Sequence, residues 1–86
     1  GKSLKDNFKI LKNLTSFKQL NQPIMVGVSR KSMIYNVLES NANDALNGTT
    51  CLNSISINNG ANIIRVHDVK EAKETVKLIG FMNENS

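Results

Sequence analysis

Two short clusters in this 86-residue sequence carry groups suited to holding an anion: Ser29-Arg30-Lys31-Ser32 and Arg65-Val66-His67-Asp68. Arg65 and His67 are two residues apart, so on an extended chain they project to one face. A guanidinium fork beside an imidazole suits a diphosphate, because arginine offers a planar pair of permanently charged donors and histidine a donor that can also carry charge. Lys31 and Ser32 stand where a helix is predicted to begin, and the free N–H groups of a helix start favour negative charge. Each cluster also has an ordinary reading. The first would serve as a helix start with solvated charges, and the second as a packed or capping histidine beside a surface arginine. Following two successive strands, the clusters point together to a phosphate-type site.

Those strands come from the alternation along the chain. Apolar residues recur every three or four positions from Ser3 to Leu20 and predict one amphipathic helix. Asn21-Gln22-Pro23 should end it. Ile24 to Val28 is a short apolar run, read as a parallel strand covered on both faces. Arg30 to Leu38 is predicted helical, Glu39 to Asn43 is a polar break, and a further helix runs from about Asp44 to Asn58 with Gly60 just past its end. Ile63 to Val66 forms the second strand. Asp68 is placed as an N-cap with Glu71 three residues on, and Val69, Ala72, Val76, Ile79 and Met82 form the stripe of the last helix. Helix, strand, helix, strand, helix specifies an α/β fold with parallel strands, which two strands alone cannot complete. Ligands of such folds bind beyond the carboxyl ends of the strands, where both clusters lie.

Composition narrows the classes. The net charge of +4 sits in the first half, which has seven basic and two acidic residues through Ser40, against four and five afterwards. Lys5, Lys9 and Lys12 fall opposite Leu4, Phe8, Leu11, Leu14 and Phe17, which reads as a solvated helix face and not a nucleic-acid surface. No apolar run reaches membrane-spanning length and no leader pattern opens the chain. The single Cys51 excludes an internal disulfide and is read as a reduced, packed thiol. A soluble, cytoplasmic chain is expected. No zinc-ligand spacing, glycine-rich phosphate loop or nucleophilic triad is present, so no metal-ligating residue is assigned. The glycosylation-type triplets at Asn13 and Asn47 fall in helical segments and are read as chance matches.

Pro23 to Ile34 (PIMVGVSRKSMI) and Gly60 to Glu71 (GANIIRVHDVKE) resemble the last two strand segments of the dihydropteroate synthase family. Gly1-Lys2 with Asn7 resembles the tail of that family's aspartate-proline-glycine loop. The likeness covers nearly the whole chain, and SRKS followed by RVHD is its most specific part. It implies that residues 1–86 are the C-terminal part of a single (β/α)8 TIM-barrel domain, incomplete as it stands. In that family the amine of para-aminobenzoate displaces diphosphate from 6-hydroxymethyl-7,8-dihydropterin diphosphate in folate biosynthesis, with Mg2+ assisting. By matching positions, the resemblance assigns Lys31 to the junction of pterin and aminobenzoate, Ser32 to the aminobenzoate carboxylate, and Arg65 with His67 to the diphosphate. Lys31, Arg65 and His67 are thus the catalytic candidates, and Arg30 supports the mouth. The magnesium ligand would lie outside this chain, and the resemblance allows a homodimer.

The sequence also departs from the family. Its first six strands have no counterpart here, Tyr35 stands where glycine is usual, and Asn53 and Asn58 replace small apolar residues. Thirteen asparagines mark a drift in composition. Two readings stay open: a synthase segment inactive on its own, or a non-catalytic remnant or small anion-binding module of the same fold. A pterin-binding methyltransferase fits less well, because it does not explain both motifs.

Overall fold

A computed structural model of the chain describes residues 4–20 and 22–85. The expectations placed on Gly1, Lys2, Ser3 and Asn21 lie outside the described residues. Helix α1 spans Leu4–Lys12, strand β1 Met25–Val26, helix α2 Ser32–Val37, helix α3 Leu46–Asn58, strand β2 Ile63–Ile64 and helix α4 Val69–Glu84. The strands pair in parallel with Met25 opposite Ile63 and Val26 opposite Ile64. Both are shorter than predicted, but the pairing extends past them. Ile24 O accepts from Asn62 N and Ile63 N, and Val26 O from Arg65 N at 2.9 Å. At the start of the ladder the Asn62 side chain accepts from Ile24 N at 2.8 Å.

The predicted single helix to Leu20 divides at Asn13. There the backbone N–H is shared between Lys9 O and Ile10 O, and the side-chain amide also donates to Lys9 O at 2.9 Å. This local competition tightens the chain into a 3-10 helix over Leu14–Leu20. Leu11 and Leu14 nonetheless reach the core, while Lys5, Lys9 and Lys12 stay exposed as expected. Helix α2 starts at Ser32 instead of Arg30, because Arg30 has a left-handed backbone, φ 50°, in the turn closed by Lys31 N to Val28 O. Helix α3 starts two residues later than predicted, after a 3-10 turn at Ala42–Asp44 capped by the Asn41 side chain. Its end matches the expectation. Gly60 takes φ 112°, with Gly60 N bonded to Ile57 O and Ala61 N to Ser56 O, the paired bonds of a Schellman close.

The core lies between the strands and helices α1 to α3, built on Val26, Val28, Met33, Ile34, Leu11, Leu14 and Ala45. Only one face of the two-stranded sheet is covered. Val26 is 6% exposed and Val28 4%, whereas Met25 is 65% and Ile63 52%. The expectation of strands buried on both faces is therefore corrected: alternate residues point away from the helices, and among the described residues no helix covers them. The overall extents of 36 × 28 × 19 Å describe a slab with one open side.

Helix α3 packs most extensively on α4, and its buried positions are polar: Thr49, Asn53 and Ser56. Thr49 Oγ1 and Ser56 Oγ donate to the carbonyls four residues earlier, at 2.7 Å each. Cys51, expected to be packed, is exposed, because it lies about 200° around the helix from Thr49 and Asn53. In α4 only Ala72 and Thr75 are buried. Val69, Val76 and Met82 of the predicted stripe are exposed, since α3 covers a narrower strip than the stripe provides. Gly48 lets α3 approach α2 closely: a Cβ there would overlap Ile34 Cγ2 and stand 3.2 Å from Leu38 Cδ1.

Candidate functional site

Parallel pairing places Lys31, Ser32, Arg65 and His67 beyond the same end of both strands, where sequence reasoning expected the ligand. Arg65 follows β2 directly and leans across its neighbour, for a Cβ built on Gly27 would lie 3.6 Å from Arg65 Cβ and 3.9 Å from Arg65 Nε. Gly27 also borders a cavity of about 510 Å³ along the free edge of β1, lined in addition by Lys31, Met25, Ile10, Leu14 and Phe17. Arg65 and His67 do not line that cavity. His67 is held through its backbone, its N–H donating to Ser29 Oγ at 3.1 Å, while Ser29 itself is buried. Lys31 occupies the N-cap position of α2 in an extended conformation, and Ser32 opens the helix. With six residues α2 has a weak dipole, so the charge of Lys31 matters more than the helix end.

The side chains of Lys31, Ser32, Arg65 and His67 are exposed and make no hydrogen bond or ion pair among the described residues. Arg30 is the opposite case. Its Nε donates to Asp68 Oδ2 and its Nη2 to Asp68 Oδ1, both at 3.0 Å. Nη1 donates to Ala42 O at 2.9 Å and Asn43 O at 2.8 Å, and the backbone N–H donates to Thr49 Oγ1 at 2.9 Å. The hydrogen bond from Arg30 holds the Asp68 carboxyl below its ordinary range, and the same bond raises the Arg30 guanidinium above its own. Asp68 was expected to cap α4 with Glu71 as reciprocal partner. It does stand at the N-cap, but its side chain makes no cap bond because both carboxylate oxygens face Arg30.

Sequence reasoning placed Arg30 at the mouth without finding its partner. The RVHD motif contained that partner, but a cap reading looked only to neighbours along the chain. Ser29 was named in the first cluster but without its bond to His67 N, and Thr49 was missed altogether. Among the described residues no group of three or more His, Cys, Asp and Glu side chains is placed to hold a metal ion. The resemblance puts the magnesium ligand outside this chain, so the described residues bear on no magnesium site. No helix among them is long and apolar enough to cross a membrane.

Comparison with known proteins gives a consistent result. A family model described as pterin binding enzyme matches residues 1–67. The chain is 42% identical over 79 residues to the dihydropteroate synthase of Escherichia coli K12, covering 92% of the chain and 28% of that protein. The 7,8-dihydropteroate synthase structure from Vibrio fischeri ES114 is 37% identical and superposes on 100% of the chain and 32% of its own length, with a TM-score of 0.96. A Yersinia pestis dihydropteroate synthase solved with a pterine-sulfa conjugate gives the same TM-score at 34% identity, covering 100% of the chain and 34% of its own. The chain thus spans about a third of the length of these proteins. Its fold is a C-terminal part of a (β/α)8 barrel, and the open sheet face is the side such a barrel turns inward.

Proposed function

Since the chain belongs to the pterin binding enzyme family, we propose that it forms the diphosphate- and aminobenzoate-facing end of a cytoplasmic dihydropteroate synthase barrel. In the complete protein the aminobenzoate nitrogen attacks the methylene carbon of the pterin diphosphate. The carbon–oxygen bond to diphosphate breaks, and the nitrogen loses a proton. The observation that carries this reading is the division among the polar groups: the Arg30 guanidinium is bonded to Asp68 and to two backbone carbonyls, while among the described residues the side chains of Lys31, Arg65 and His67 have no partner at the same strand ends. Exposed donors without protein partners are available to a ligand.

Arg65 and His67 would donate to the departing diphosphate, where negative charge builds as the bond breaks. Lys31 would lie at the junction of the two substrates, and Ser32 would meet the aminobenzoate carboxylate. Magnesium would be held by residues outside this chain, so no step is assigned to it. The isolated residues are proposed to be inactive, and dimerisation in the complete protein remains part of the same proposal. A second reading, a non-catalytic remnant that keeps the anion site, draws support from the buried Asn53 Oδ1 that has no hydrogen-bond partner.

The test is Arg65→Ala and His67→Ala in the complete barrel. Each should lower kcat/KM on the order of 100-fold, as loss of a single electrostatic stabiliser does. The arginine change should be the more severe, because a permanently charged fork is lost. Both residues are exposed, so urea titrations should show stability changes under about 1 kcal/mol. Near-normal kinetics with a large fall in unfolding midpoint would withdraw the diphosphate assignment. Diphosphate binding without turnover in the unaltered barrel would favour the remnant.

A further inference from the structure

We propose that Arg30 and Asp68 form a strut that sets the distance between the two ligand-facing loops, making both of them positioning residues for Lys31 and His67. The inference rests on the function proposed above. Arg30 immediately precedes Lys31 and Asp68 immediately follows His67, so each end of the strut is bonded through one peptide to a residue assigned to substrate. The fork-to-fork pairing, with two bonds of 3.0 Å, fixes orientation as well as separation. Both side chains are largely shielded, at 25% and 20% exposure, unlike an ordinary surface pair.

The remaining bonds immobilise the Arg30 end. Nη1 holds two carbonyls of the 3-10 turn before α3, and the backbone N–H is tied to Thr49 Oγ1, which in turn donates to Ala45 O. Ser29 Oγ adds a second tie between the loops by accepting from His67 N. Arg30 itself sits at φ 50°, a conformation that a non-glycine residue adopts only when its surroundings hold it there. Releasing the fork frees this turn to relax toward negative φ, and Lys31 is the next residue along. A shift of about 1 Å in a group that orients substrate can cost on the order of 100-fold in rate.

The experiment uses the complete barrel with Arg30→Lys, which keeps the charge but loses the fork, and Asp68→Asn, which keeps the shape but loses the charge. Asn62→Ala removes the Ile24 N–H bond at the opposite end of the strands and serves as a control for general loosening. Inorganic diphosphate affinity is read by calorimetry, and KM and kcat by steady-state kinetics, all well below the unfolding temperatures. Both strut variants should bind diphosphate about 10-fold more weakly and lose roughly 10- to 100-fold in kcat/KM, with KM for the pterin diphosphate raised. Asn62→Ala should retain normal affinity whatever its midpoint. Unchanged diphosphate affinity and KM in both strut variants, with only lowered unfolding midpoints, would overturn the positioning role and leave the proposed function standing. Failure of the unaltered barrel to bind diphosphate would overturn the functional reading and this inference with it.

Discussion

Replacing Asn53 by leucine is expected to stabilise the complete barrel, although the residue is 2% exposed and sits at the packed face of α3. Three polar residues share that face, and two of them cost little. The hydroxyls of Thr49 and Ser56 are donors, and each reaches the carbonyl one turn back. Asn53 Oδ1 can only accept, and in mid-helix every nearby N–H is already engaged, so it is buried without a partner. A buried acceptor left unmade costs about 1–3 kcal/mol. Leucine branches at the same carbon as asparagine, removes that penalty and adds a few tenths of a kcal/mol in helix propensity. Its methyls are bulkier than the amide atoms, which returns part of the gain through tighter packing. The expected net is about 1.5 kcal/mol. With a urea slope of ~2–3 kcal/mol/M this raises the midpoint by about 0.5–0.8 M. Asn53→Ala removes the same penalty but leaves a void of roughly 30 Å³, worth ~0.7 kcal/mol, so its midpoint should move less. A leucine variant less stable than the parent by more than about 1 kcal/mol would show that Oδ1 is satisfied after all, and the argument from orphaned polarity would fail.

Two further outcomes follow from the open sheet face and the strut. The isolated 86 residues should form no detectable dihydropteroate with both substrates and magnesium supplied, because holding reactants in near-attack geometry accounts for about 7–11 kcal/mol in well-oriented systems and this chain supplies one wall of the site; measurable turnover by the purified chain would refute this. Stability should also depend on Asp68 in acid. Its folded-state pKa is lowered by the Arg30 hydrogen bond, so its contribution is complete above the unfolded carboxylate value of about 4 and is lost as pH falls through the lower folded value. Urea midpoints measured from pH 6 to pH 2 should therefore converge for the parent and Asp68→Asn at the acid end, and a constant gap between them would contradict the linkage.

What the sequence made legible were features determined by near neighbours. The strand positions, their parallel sense and the Gly60 close of α3 follow from β-branched runs, alternating elements and a residue that tolerates positive φ. The errors come from effects that periodicity does not encode. Asn13 ends α1 by sharing a hydrogen bond within one turn, where the apolar spacing continues unbroken. The outward half of each strand reads as core because it is apolar, yet Met25 and Ile63 belong to a barrel interior that this chain does not close. Asp68 carried every local mark of an N-cap, and it was drawn away by an arginine 38 residues earlier in the chain. That same contact decides the site. Arg30 and Arg65 each follow a strand and each neighbour a residue of the proposed site, so sequence pattern treats them alike. Geometry separates them: one guanidinium is held by Asp68 and two backbone carbonyls, while the other lies over Gly27 with no partner among the described residues. An anion arriving at these strand ends would meet Arg65 without first displacing a protein partner, whereas binding to Arg30 would require breaking the strut that orders Lys31 and His67. On the proposed function the ligand role falls to Arg65 and the positioning role to Arg30, and exchanging the two assignments would spend on the ligand the guanidinium that ties the two loops together.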